Sequence, residues 1–201
     1  MNTIYVVYDV DDVLNNLCEY VHEQVGTDKS NQKYFSLREC KGIYTDEQIE
    51  SIQGLFADEE TFKHLSYNKG ASDIMKYDGD GVEVHIHSNN FTQAIADVKT
   101  ESLLKNINGL TPDRIHMMVV ESSHNKEIFK NATIVIDDNI NYLMAYPKNI
   151  IRILINKPYN QPSVTKIYDW TEGIVRVPDL ETANRLVESF IEMIKDGRYI
   201  L

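Results

Sequence analysis

Apolar and polar positions along the chain alternate between two kinds of pattern. Ile4-Tyr5-Val6-Val7-Tyr8 is a continuous apolar run, as expected of a strand covered on both faces at the centre of a parallel sheet. Val82, Val84 and Ile86 predict a second strand running into Ser88-Asn89-Asn90, and further strands are expected over 115–120, 133–136 and 150–155, with a short edge strand at 174–177. Between them the spacing becomes helical. Leu14, Leu17, Cys18, Val21 and Val25 share one face and Gly26 closes the helix. Ile95, Val98, Leu103 and Leu104 form the inner face of a helix over 91–107. Leu180, Ala183, Val187, Phe190, Ile191 and Ile194 do so over 179–195. A helix over 71–77 leads into the Asp78-Gly79-Asp80-Gly81 turn.

Strands alternating with helices imply βαβ units, and the predicted fold is α/β, a three-layer Rossmann-like parallel sheet. From Thr27 to about Gly70 the pattern breaks down into polar sequence with single apolar residues. Thr45-Asp46-Glu47-Gln48 reads as a helix start ahead of Ile49, Ile52, Leu55 and Phe56. This stretch is expected to be a small helical cap inserted after the first strand, with residues 16–70 as the cap and 1–15 and 71–201 as the core.

Composition narrows the function. With 42% hydrophobic and 25% charged residues, the 201-residue chain is ordinary globular protein. A net charge of −11 argues against a surface for polymeric nucleic acid. The N-terminus has neither a signal-peptide pattern nor an apolar stretch of membrane-spanning length, so a cytoplasmic setting without membrane contact is expected. Cys18 and Cys40 are too few for a disulfide scaffold and are expected to be reduced thiols. Neither GxGxxG nor a P-loop occurs.

The chemistry-bearing residues cluster at strand ends. Asp9, Asp11 and Asp12 follow the first strand, where open α/β sheets bind ligands. Crowded carboxylates at such a point call for a hard divalent cation; a surface turn with a helix cap is the plainer alternative. Asp137-Asp138 ends the fourth strand and raises the same choice. Ser88 fits a ligand contact or a helix cap, with Asn89, Asn90 and Thr92 as rival caps. Lys126 is a candidate cation with Lys130 as its rival. His85 and His87 alternate on the second strand and read as packed strand residues, because no third ligand stands at zinc spacing.

Taken together, DVDDVL at Asp9 to Leu14, IHSN at Ser88, HNKE at Lys126 and IVIDDN at Asp137-Asp138 resemble, in order, the motifs of the haloacid dehalogenase superfamily of phosphohydrolases. The resemblance runs from Ile4 to about Ile155 and implies Asp9 as nucleophile and Asp11 as general acid and base. It further implies Ser88, Asn89 and Lys126 as phosphate contacts, and Mg²⁺ held by Asp9, Asp11, Asp137 and Asp138, with Asp138 the direct ligand of the terminal pair. Asp12 stands where many members carry Gly, and Asp tolerates the positive φ such a site can need.

A narrower likeness is to the 5′(3′)-deoxyribonucleotidases, through Gly54-Leu55-Phe56, Gly70-Ala71, Pro158-Tyr159-Asn160 and Trp170-Thr171-Glu172. It implies a 5′-nucleotidase for nucleoside or deoxynucleoside monophosphates, with Phe56, Phe35 and Tyr20 of the cap against the base. The rival expectations are a phosphatase for sugar phosphates or nucleic-acid ends, and a non-catalytic phosphate-binding module. Oligomeric state is open, a homodimer included.

Overall fold

The computed structural model describes residues 3–34, 36–120, 128–162 and 172–199. Its centre is a 6-stranded sheet in the order β3-β2-β1-β4-β5-β6 with every neighbouring pair parallel. The strands are β1 (Ile4–Tyr8), β2 (Val82–Asn90), β3 (Ile115–Val119), β4 (Ile134–Asp137), β5 (Ile151–Ile155) and β6 (Ile174–Val177). β1 lies between β2 and β4, with Tyr8 opposite Ile86 on one side and Ile136 on the other.

Both faces of the sheet are covered. On one, Val6, Tyr8, Val84, Ile86, Ile134, Ile136 and Ile153 pack with Leu103 of α4 (Gln93–Asn106) and Ala183, Val187 and Ile191 of the last helix, α6 (Leu180–Lys195). On the other, Val7, Val135 and Leu154 pack with Ile140 and Leu143 of α5 (Ile140–Ala145). Three layers follow directly from strands that are apolar on both faces.

The insertion builds a separate cluster. Helices α1 (Leu17–Val25), α2 (Asp46–Ala57) and α3 (Glu59–Lys63) contribute Leu17, Val21, Ile49, Ile52 and Phe62, joined by Leu37, Cys40 and Tyr44. Ile95 of α4 belongs to the same cluster, so the insertion rests on α4. Thr45 and Gln48 form the expected capping box at the start of α2, and Gly26 ends α1 at φ +70°. Where the chain leaves and re-enters the core, Asn15 bridges Tyr67, the Asn16 amide donates to the Ser66 carbonyl, and Asn68 Nδ2 donates to the carbonyls of Val13 and Asn15.

Three expected boundaries move. The predicted helix over 71–77 is only a 3₁₀ turn, Ile74–Tyr77, because Gly70 at φ +91° and the Asp78 turn leave no room for a longer one. α1 begins at Leu17, as Asn15 Oδ1 takes up the Asp12 and Leu17 amides and holds the preceding residues in a turn. α4 begins at Gln93, since Thr92 accepts from the Ile95 amide and is the cap. Among the described residues, no helix is long and apolar enough to cross a membrane.

Candidate active site

The strand order reverses between β1 and β4, and the carboxyl ends of that pair form the point where such sheets bind ligands. Asp9 continues β1 by donating its amide to the Ile136 carbonyl at 3.0 Å. Asp137 is the last residue of β4 and Asp138 the next. One carboxylate oxygen from each of Asp9, Asp137 and Asp138 lies within 4.8 Å of the others, and among the described residues this is the one group with the geometry to hold a metal ion. Oxygen donors alone suit a hard cation such as Mg²⁺.

Burial sharpens the need for a counter-charge. Asp137 and Asp138 are 2% and 5% exposed. Burial pushes Asp138 well above the usual carboxylate range, and the charges of Asp137, Asp12 and Asp9 add to the shift. Asp12 is also raised by burial, against the opposing pull of Lys157 and of the Cys18 amide. A bound cation would relieve this crowding. Asp137 Oδ1 accepts the Asn139 amide at 2.8 Å, and Asn139 in turn caps α5, so one turn serves as both cap and ligand support.

Asp11 faces a different environment. Its Oδ2 accepts from Lys99 Nζ at 2.5 Å and its Oδ1 from Asn15 Nδ2 at 3.3 Å. The Lys99 side chain is 3% exposed, whereas that of Asp11 is 28% exposed, so the carboxylate keeps an open side. Lys99 Nζ also reaches Ser88 Oγ at 3.5 Å and lies 4.6 Å from the centre of the Phe62 ring of α3. The ammonium therefore joins Asp11, the end of β2 and the insertion. Asp12, at φ +60°, adopts the left-handed conformation, accepts the Cys18 amide at 2.9 Å and turns the chain towards α1.

The structure brings together Asp9, Asp137 and Asp138 as one group, and Asp11 with Ser88 through Lys99. Asn89, one residue on, alternates to the other side of β2; both of its amide atoms are buried without a hydrogen-bond partner. Lys126 and Phe35 lie outside the described residues, as does Trp170, while the rival Lys130 is exposed. Phe56 and Tyr20 are half-buried against the insertion's own cluster, and the Tyr20 ring also stacks on His64 at 6.5 Å. The buried His85 meets the part-exposed His116 at 2.9 Å and Glu83 at 3.2 Å. Cys18 and Cys40 are buried free thiols.

Sequence reasoning missed two residues here. Lys99 carried a signal, because Ile95, Lys99 and Leu103 recur every fourth residue and place a lysine in the buried stripe of α4. Such a lysine is rarely buried without a partner. Tyr159 stood inside a noted tripeptide, but nothing in the sequence ties its hydroxyl to Asp138, 21 residues earlier, which it meets at 2.5 Å.

No protein-family model matches the chain, and no curated protein does. Solved structures do. A dehalogenase with a bound intermediate is 12% identical at a TM-score of 0.56, over 92% of this chain and 98% of that one. A haloacid dehalogenase-like family hydrolase from Streptococcus pneumoniae is 12% identical at 0.54, over 92% and 98%. L-2-haloacid dehalogenase from Xanthobacter autotrophicus is 13% identical at 0.52, over 94% and 99%. The chain shares their fold.

Proposed function

We propose that this chain, built on the haloacid dehalogenase-like fold, is a Mg²⁺-dependent phosphomonoesterase that works through an aspartyl-phosphate on Asp9. The observation that carries the reading is the pairing of two carboxylate environments at one strand end. Asp9 stands with Asp137 and Asp138 within 4.8 Å, and Asp11 stands apart beside a buried lysine at 2.5 Å. Displacing a halide from carbon needs neither a cation nor a proton for the leaving group. Cleaving a phosphate monoester calls for both, because the dianion repels the nucleophile and an alkoxide leaves poorly.

In this mechanism Asp9 attacks phosphorus as the bond to the leaving oxygen breaks, and Asp11 gives that oxygen its proton. Asp11 then takes a proton from the water that attacks phosphorus, freeing phosphate and Asp9. Lys99 and Ser88 hold phosphoryl oxygens; the 3.5 Å between Nζ and Oγ suits a shared anion. Asp9, Asp137, Asp138 and the Asp11 carbonyl would hold Mg²⁺, which when bound neutralises phosphate and nucleophile together.

Within this class we propose a nucleoside monophosphate as substrate, on the Gly70-Ala71 and Pro158-Tyr159-Asn160 pieces and on an insertion whose Phe62 ring lies against Lys99, the partner of Asp11. Phosphate release from a panel of nucleoside monophosphates, sugar phosphates and an aryl phosphate, with Mg²⁺ and with EDTA, tests both levels. Mg²⁺-dependent release with the nucleotides favoured is expected. Higher kcat/KM on a sugar phosphate removes the nucleotide assignment, and no release from any ester removes the phosphatase itself.

A further inference from the structure

Three carboxylates can share a cation only if each presents the right oxygen, and a free carboxylate rotates about its last bond. For Asp138 the structure supplies restraints on both sides of that bond. Its main chain is pinned by Asn160, whose Nδ2 donates to the carbonyls of Asp138 and Ile155, each at 2.7 Å. Asn160 is itself held by Arg176 of β6, which donates to its Oδ1 at 2.7 Å and its carbonyl at 2.8 Å. The side chain is pinned by Tyr159, 4% exposed, whose hydroxyl lies 2.5 Å from Asp138 Oδ2 and 3.3 Å from Asp12 Oδ2. Both groups that touch Asp138 belong to the 3₁₀ turn Pro158–Asn160, which follows β5, the neighbour of the strand that leads into Asp138.

We propose that Tyr159 is a positioning residue for the cation site: its hydroxyl holds Asp138 Oδ2, so that the other carboxylate oxygen is presented towards Asp9 and Asp137. The inference rests on the reading of the acidic trio as a cation site. Groups that orient a metal ligand in this way typically change metal affinity ten- to a hundredfold when removed. A tyrosine that merely filled the core would leave metal affinity alone when its hydroxyl is deleted and its ring kept.

The test is Tyr159→Phe in the full chain, read by calorimetric titration with Mg²⁺ and by Mn²⁺ paramagnetic resonance, with melting in EDTA as the check on folding. A metal Kd raised about ten- to a hundredfold, with the EDTA melting temperature within a few degrees of wild type, is the expected result. If Tyr159→Phe melts far below wild type, the same titration below its melting transition provides the second reading, and a metal Kd weaker by about ten- to a hundredfold is again expected. Wild-type affinity in a folded variant overturns the positioning role while leaving the cation site standing. Absence of metal binding by the wild-type protein overturns the cation reading and this inference with it.

Discussion

Lys99→Met is the substitution that separates a working lysine from a structural one. The ammonium is 3% exposed and 2.5 Å from Asp11 Oδ2, and it sits over Phe62. Methionine keeps the length of the stem and has comparable helix propensity, so no large cavity is left. Stability then turns on two opposed terms. The cation–π contact and the ion pair are lost, the first worth about 1–2 kcal/mol in a desolvated setting. Against that, a desolvated ammonium, which costs several kcal/mol to bury, is removed. Asp11 is 28% exposed and retains the Asn15 amide, so it is not left dry. The net change is expected within about 1 kcal/mol in either direction, or about 2–4 °C in melting temperature for a chain of this size. Catalysis should respond very differently. Removing one preorganised charge from a phosphoryl clamp costs about 2.7–4 kcal/mol of transition-state stabilisation, or about a hundred- to a thousandfold in turnover. Phosphate release from an aryl phosphate at saturating Mg²⁺, beside thermal melts of the same samples, decides the matter. A variant within threefold of wild-type kcat/KM, or one that loses activity only in step with unfolding, refutes the role given to Lys99.

The other expectations are simpler. Asp9→Asn should keep the fold, read as a cooperative melt, and abolish turnover; more than a few per cent residual turnover excludes Asp9 as nucleophile. Asp137→Ala and Asp138→Ala should each raise the Mg²⁺ concentration for half-maximal activity more than they raise KM at saturating metal, and titrations that match wild type would place the metal elsewhere. Because burial raises Asp138 and Asp12, the metal-free native state binds more protons than the unfolded chain above about pH 4, and these groups destabilise it increasingly as pH rises through their raised values. Mg²⁺ competes with those protons, so at a fixed concentration its stabilising increment, ~2.7 kcal/mol at a hundred times Kd, should shrink as pH falls through the raised values; an increment independent of pH contradicts the assignment. Phe56→Ala should lower the melting temperature and reduce activity on nucleotide and aryl phosphate alike, because Phe56 packs into the insertion's cluster. A loss confined to nucleotides would return Phe56 to the base.

The sheet was legible because β1, β4 and β5 are largely apolar runs and β2 alternates Val82, Val84 and Ile86 with polar residues; these four strands appear where the pattern places them. Strand-end acids were legible for the same reason, since an Asp directly after a buried run has few other places to go. The turn at Ile74–Tyr77 misled because Ile74 and Met75 are apolar at helical spacing, while the limit on its length comes from backbone reversals on either side. Lys99 was hidden by habit, as a lysine in a helix is ordinarily a solvated one. Tyr159 was hidden by distance: its partners Asp12 and Asp138 lie 147 and 21 residues away, and only the parallel stacking of β1, β4 and β5 brings them together.

The place where the insertion joins the core has a consequence of its own. Asn15 bridges Tyr67 and Asn68 holds the carbonyls of Val13 and Asn15, so the departing and returning chains are already hydrogen-bonded to each other before either reaches the helices. The core therefore meets the insertion as a closed loop, whatever its length. Because each doubling of loop length adds only ~0.6 kcal/mol of closure entropy, segments of quite different size fit the same two attachment points. A chimera that keeps 1–16 and 66–201 and exchanges what lies between should fold its sheet and hold its acidic trio, and any change in substrate choice in such a chimera would be inherited with the transplanted segment.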